Sequence, residues 1–508
     1  MKLPITHKLI TIIFFTLSSC VNRDRYVGPS AADLEDMPIV MSVLIDRESF
    51  YYVDNSNYPS QDPSLPIGIF DSGTGGLTVM EAILQSDAFN NITHEAGSDS
   101  LPDFASENFI YLADQANMPY GVYFAEGKSD LLVEHIIKDA IFLLSDKYYA
   151  NDNTVMYSTD KKPVKTIVIA CNTATAYGAH YLKALVEESA FNVKVLGVID
   201  AGARGALEHF GKKEDGTIGV LATVGTVASD GYYNSISRLI NEMEYKGDIR
   251  VFSQGGHGIA EAVDEEPDFI DRTLSAPRLT YKGPSLSGAE FRIDTGLLDI
   301  YRFDFSSNKM LCDSDDPFGC TEIQINDAEN YMRYHLVSLL ELIRTAPGSP
   351  PLKTIILGCT HYPYLTTQIR SILSELYDFQ KDGKYLYREY MNEEVTLVDP
   401  SVNLAKELYV VLNEASLFNN QTATMGNHEF YITVPNIHNP SVVVDENRRF
   451  TYEYKYGRNA GVVQEYVKVV PFSARNISEE TLTRLRKYTP SSFGAIVKFN
   501  EFSPKITH

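Results

Sequence analysis

Two cysteines stand where a thiol can do chemistry. Cys171 closes the run TIVIAC (166–171) and is followed by Asn172 and Thr173. Cys359 closes TIILGC (354–359) and is followed by Thr360 and His361. Each run is apolar and β-branched, the pattern of a buried strand. Each cysteine lies at a strand's carboxyl end, where parallel sheets build their sites. A helix beginning there would favour the thiolate through its free N–H groups. One such thiol reads as a nucleophile. Two in matching loops suit stereoinversion at one carbon, in which one thiolate takes a proton and the other thiol returns one from the opposite face. A lone buried cysteine is ordinarily an inert small hydrophobe, and the duplicated setting argues against that reading. A disulfide between the two would abolish the acid/base role.

The elements that position these thiols repeat as well. IGIFDSGTGG (67–76) and IGVLATVGTV (218–227) are each an apolar run, a Gly/Thr/Ser turn and then a helical pattern. Along the chain the two kinds of unit alternate, which predicts a duplicated α/β fold. Its two similar domains carry parallel sheets flanked by helices, related by a pseudo-two-fold axis, with the site between them. At the first turn, Asp71 is placed to bind a substrate amine or to tune a thiol, although Asp-Ser-Gly alone is a common turn. The adjoining glycines and helix N–H groups suit a carboxylate ligand. The turn is neither a Walker A loop nor a GxGxxG loop. His361 can act as acid/base or as donor to the second thiol. No His/Cys/Asp group shows metal-ligand spacing, so the chemistry is expected to need no cofactor or metal.

Composition narrows the partners. The 508 residues carry 44 Lys+Arg and 67 Asp+Glu, a net charge of −23. That balance disfavours nucleic acid, which requires a basic face. Five cysteines cannot form a disulfide scaffold. At this length two or more domains are expected. The expected organisation is a signal peptide (1–19), a tether (20–63) with a short strand at 39–45, and a discontinuous first domain (64–200 and 395–475). A second domain (201–394) and a C-terminal extension (476–508) complete it. Polar insertions are read at 87–107, 264–325, 376–394 and 436–460. Cys312 and Cys320, in the acidic 264–325 insertion, are expected to pair in an oxidising compartment.

Lys2 and Lys8 precede a short apolar run that ends in LSSC (17–20), the features of a secretory signal. The last four residues resemble a bacterial lipobox, in which Cys20 would carry the lipid. The expected place is the extracytoplasmic face of a bacterial membrane. A cytoplasmic location is the alternative.

FDSGTGG (70–76), DQANMPYG (114–121), IACNT (169–173) and LGCTHYP (357–363) together resemble the glutamate racemases of the aspartate/glutamate racemase superfamily. Similarity also runs through LGVIDAGAR (196–204) and VTLVDP (395–400), and is spread over residues 66 to about 435. The resemblance implies a cofactor-independent racemase with Cys171 and Cys359 as its two acid/base thiols. It implies glutamate contacts from Asp71, Ser72, Tyr120, Gly121, Asn172, Thr173, Thr360 and His361. It further implies D-glutamate supply for peptidoglycan, and a homodimer is one expected assembly. The alternatives are a racemase of another amino acid or a hydantoin, and a binding lipoprotein without turnover. One segment departs from the family, which usually carries Cys-Pro and a downstream Glu where this chain reads SQGGHGIAEAVD (253–264). Either Glu261 or Asp264 stands in for that Glu.

Overall fold

The computed structural model describes residues 34 and 37–506, apart from 290, 315–318, 420–427 and 474. The signal-peptide reading and Cys20 lie outside the described residues.

Among the described residues, fourteen strands form two main sheets and two small antiparallel pairs. The strands of the first sheet are β1 (Ile67–Asp71), β2 (Phe109–Ala113), β3 (Thr166–Ile169) and β4 (Lys194–Gly197). Those of the second begin with β5 (Gly216–Ala222) and β6 (Ile249–Gly255). β7 (Met310–Cys312) and β8 (Ile323–Ile325) pair with each other, and β9 (Leu352–Gly358) returns to the second sheet. β10 (Gln380–Lys381) and β11 (Lys384–Tyr385) form a short hairpin. β12 (Met391–Val398) is the edge of the second sheet, while β13 (Glu429–Pro435) and β14 (Val467–Pro471) extend the first.

The duplication is explicit in the strand order. The first sheet runs β14-β13-β2-β1-β3-β4 and the second β12-β9-β5-β6. Reading outward from β2 and from β6 gives β2-β1-β3-β4 against β6-β5-β9-β12, the same four-stranded unit twice. Every described pairing within the two units is parallel, β13 adds to the first sheet in parallel on β2, and β14 adds antiparallel on β13. β3 leads to Cys171 and its counterpart β9 leads to Cys359. The helices that follow β4 and β12, Val198–Leu207 and Pro400–Glu414, pack on each other where the two halves meet. Their approach is close: a Cβ on Gly202 would lie 2.9 Å from Pro400 Cγ.

Three readings of the chain change. Residues 39–45 are not a strand: Pro38–Leu44 is a helix with Pro at its start, and Ile39, Val40 and Val43 are buried against the first domain. Proline suits a first helical turn, where its missing N–H has no partner to lose. The tether is therefore shorter than residues 20–63, because Leu34, which is 2% exposed, is already packed in the first domain's core. The boundary at 395 falls inside β12, whose pairing with β9 places it wholly in the second sheet. The first domain resumes only with the helix Pro400–Glu414 and β13.

Cys312 and Cys320 form a disulfide within the 264–325 insertion, with Cα atoms 5.7 Å apart. Among the described residues, no helix is long and apolar enough to cross a membrane.

Candidate active site

The two thiols sit in matching places with different neighbours. Cys171 caps the helix Asn172–Glu188, and its sulfur accepts from Ala174 N at 3.4 Å. Its thiol also reaches Ser72 Oγ at 3.7 Å. The helix terminus does not make this thiol acidic. Burial, then the charge of Asp71, push Cys171 up to about 12, and the bonds from Ala174 and Ser72 only partly offset them. Cys171 is thus held as a thiol, ready to give a proton.

Cys359 has no helix directly behind it. A short 3-10 turn, Tyr362–Leu365, separates it from the helix Thr366–Tyr377. Its partner is His361, whose Nδ1 lies 3.6 Å from the sulfur. His361 Nε2 meets Asp264 Oδ2 at 3.2 Å. Burial opposes an imidazolium here, but Asp264 and the Cys359 sulfur outweigh it and hold the His361 pKa well above the ordinary value. Both ring N–H groups then donate, one to the carboxylate and one to sulfur. Of the two acids in this segment, Asp264 is the one that meets His361. Glu261, lifted to about 7 by burial, does not hydrogen-bond His361.

Asp71 terminates β1 and is 1% exposed. Its Oδ2 accepts from Gly73 N at 3.1 Å and Gly76 N at 2.9 Å. Its Oδ1 is buried without a hydrogen-bond partner among the described residues. Burial lifts its pKa to about 6 despite those two bonds. The turn needs its glycines: a Cβ on Gly76 would lie 2.4 Å from Asp71 Cβ, and one on Gly75 would lie 2.5 Å from Thr360 Oγ1 and 2.8 Å from His361 Cε1. At Gly75 the first domain's turn touches the second domain's cysteine loop.

The other candidate residues join the domains. Tyr232 of the second domain donates to Asn172 Oδ1 at 2.6 Å. Thr173 Oγ1 lies 3.2 Å from both Thr223 Oγ1 and Thr226 Oγ1. Thr78 Oγ1 donates to Thr360 O at 3.3 Å. Gly121 packs against Gly225, whose added Cβ would lie 3.1 Å from it. Tyr120 does not offer its hydroxyl to a substrate. That hydroxyl lies 2.6 Å from Asp114 Oδ2 and 2.7 Å from Asp139 Oδ2, in a pocket where Tyr120 is 2% exposed. One hydroxyl proton cannot serve two carboxylates. Burial and the Asp114 charge hold Asp139 well above the carboxylate range, so its neutral acid supplies the second proton.

Asn172, Cys359 and Thr360 share a cavity of about 10 Å³ with Thr78, Val198 and Asp399. That is room for about one water.

Residues not singled out in the sequence also matter here. Thr223 is the counterpart of Ser72 in the paired turns, so the repeat itself carried the signal for it. Arg484, from the C-terminal extension, contacts Asp264, and nothing in its sequence surroundings points to that contact.

No family model matches the chain. Among curated proteins, the glutamate racemase of Oceanobacillus iheyensis is 27% identical over 367 residues, covering 72% of this chain and 86% of that protein. The glutamate racemase of Lactococcus lactis is 26% identical over 370 residues, covering 72% of this chain and 86% of that protein. Among solved structures, glutamate racemase isoform RacE1 from Bacillus anthracis is 22% identical with a TM-score of 0.40, covering 72% of this chain and 86% of that one. Over 72% of its length the chain is thus similar in sequence to glutamate racemases.

Proposed function

We propose that the protein interconverts L- and D-glutamate by two-base proton transfer at the α-carbon. The observation that carries this reading is the pair of equivalent strand ends with opposite settings. Cys359 lies 3.6 Å from the ring of His361, whose pKa is held well above the ordinary value, while Cys171 is buried beside Asp71 and held as a thiol. In one direction the α C–H bond breaks as S–H forms at Cys359. The carbanionic intermediate then takes the Cys171 proton on its other face, and the reverse reaction exchanges these roles. The unpartnered Oδ1 of Asp71 is placed to accept from the substrate ammonium. The N-terminus of the helix Asn172–Glu188 offers N–H groups to a carboxylate. Purified protein without added cofactor should bring solutions of L- and of D-glutamate to the same zero ellipticity. A persistent signal from both enantiomers would reject the reading.

The protein is further read as an exported lipoprotein, anchored at Cys20. Support comes from the signal-like residues 1–20 and from the Cys312–Cys320 disulfide, a bond kept in oxidising compartments. Since Leu34 is already packed, the spacer after Cys20 is no longer than residues 21–33. Fractionation beside Cys20→Ala tests this. Wild type should partition with membranes and the variant should not. If both stay in the cytoplasm with residues 1–19 intact, the anchor is wrong and D-glutamate supply for peptidoglycan becomes the role. Outside the cytoplasm, recovery of D-glutamate fits better.

A further inference from the structure

The C-terminal extension reaches the site. Its helices Glu479–Tyr488 and Pro490–Phe502 pack against each other, and the second lies on the helix Leu77–Gln85 that follows the glycine turn. The anchor is specific: Glu81 accepts from Ser491 N at 3.1 Å and from Ser492 N at 2.7 Å. Leu485, Ile496 and Phe499 are buried in the first domain's core.

From that anchor Arg484 crosses to the second domain. Its Nη1 lies 2.5 Å from Asp264 Oδ1, an ion pair whose angles fall short of a hydrogen bond. Nη1 also donates to Val263 O at 3.4 Å, and Nη2 to Thr74 Oγ1 at 3.5 Å. Four residues on, the Tyr488 ring lies 4.9 Å from that of Tyr364, in the turn after His361. Arg484 is only 14% exposed in its side chain, and Asp264 16%.

We propose that Arg484 is a positioning residue for the second thiol, fixing Asp264 against His361 and thereby aiming the imidazole at Cys359. The inference rests on the racemase reading. Asp264 has one oxygen on His361 and the other at the guanidinium, so it is held from both sides. It also shares its stretch with Glu261 and Glu266, both pushed up by burial. Burial opposes ionisation of Asp264, and His361 first, with Arg484 adding to it, holds its pKa below the ordinary value. Without it the carboxylate can turn away, and His361 loses the partner that orients Nδ1 toward sulfur.

The test is a cycle in the full chain using Arg484→Ala, Arg484→Gln, Arg484→Lys, Asp264→Asn and the Arg484→Ala/Asp264→Asn double variant. Arg484→Ala and Arg484→Gln should lower kcat roughly tenfold with KM held within about threefold, a misaligned group rather than a lost binding contact. Arg484→Lys should restore most of kcat. In the Asp264→Asn background, Arg484→Ala should change kcat by less than about twofold, because both changes break one chain of contacts. Loosening of the extension alone would instead give additive losses, with no rescue by Lys, and would overturn the proposal. So would a kcat for Arg484→Ala equal to wild type. Should Arg484→Ala not fold, the Gln and Lys variants carry the comparison. If the unmodified protein does not racemise glutamate, the racemase reading fails separately. The same cycle in melting temperature then decides, and additive shifts would overturn the contact itself.

Discussion

Cys171→Ser and Cys359→Ser each lower glutamate racemisation by at least ~10³-fold, the scale for groups that act as one unit, and they fail in mirror-image ways. A hydroxyl is far too weak an acid to exchange protons in place of a thiol. Each variant keeps one working thiol on one face of the α-carbon. In deuterated buffer, the Cys359→Ser variant should wash deuterium into one enantiomer only, the one presenting its α-proton to Cys171. The Cys171→Ser variant should wash it into the other. Proton NMR of the α-position reads both, and circular dichroism reads the lost inversion. Exchange of the same enantiomer by both variants would mean that the thiols share one face. Near-normal inversion by either would mean that one thiol suffices. The unequal settings of the two thiols do not make one direction more efficient. Enantiomers have equal free energy, so kcat/KM is the same in both directions, and the asymmetry can appear only in kcat and KM taken separately.

The thiols were legible in the sequence because their signals are local. A β-branched run that ends in Cys and polar residues marks a strand end without any tertiary knowledge, and the repeat ties the two ends together. The shared order β2-β1-β3-β4 and β6-β5-β9-β12 is the three-dimensional form of that repeat. Legibility stops where neighbours decide. Glu261 and Asp264 are three residues apart around the end of one short helix, Ile259–Val263, so spacing cannot say which one meets His361. Tyr120 lies in a motif shared with the family, yet its hydroxyl is engaged by Asp114 and Asp139, the second of them on a distant helix. The run 39–45 is too short for periodicity to separate strand from helix, and only Pro38 argued for the helix. Arg484 comes from a segment that no motif links to the site.

Asp71→Asn is expected to stabilise the fold while it removes most of the activity. The carboxyl is raised from 3.8 to about 6, chiefly by burial. At 1.36 kcal/mol per unit, that gap corresponds to about 3 kcal/mol. The sign follows from proton binding. The unfolded carboxyl ionises near pH 4 and the folded one near pH 6, so between them the unfolded state binds fewer protons. Stability therefore falls as pH rises from about 4 to about 6, and the penalty persists above that window. Asparagine has the same shape, keeps an oxygen for Gly73 N and Gly76 N, and cannot ionise. At pH 7 to 8 the variant should thus need more urea to unfold than wild type, with the difference closing toward pH 4. Activity moves the other way. Burial first and the Asp71 charge second keep the Cys171 thiol protonated, and on the racemase reading the unpartnered Oδ1 receives the substrate ammonium, so loss of the carboxylate should reduce kcat/KM by roughly 10²-fold or more. Wild-type kcat/KM should also decline below about pH 6 as Asp71 takes up a proton, an acid limb that Asp71→Asn lacks. A variant less stable than wild type at neutral pH would show that the charge is compensated within the fold. A fully active one would show that Asp71 serves the turn and not the reaction. The expected pairing, a stabler protein that no longer works, is the signature of a buried charge kept for chemistry at the expense of the fold.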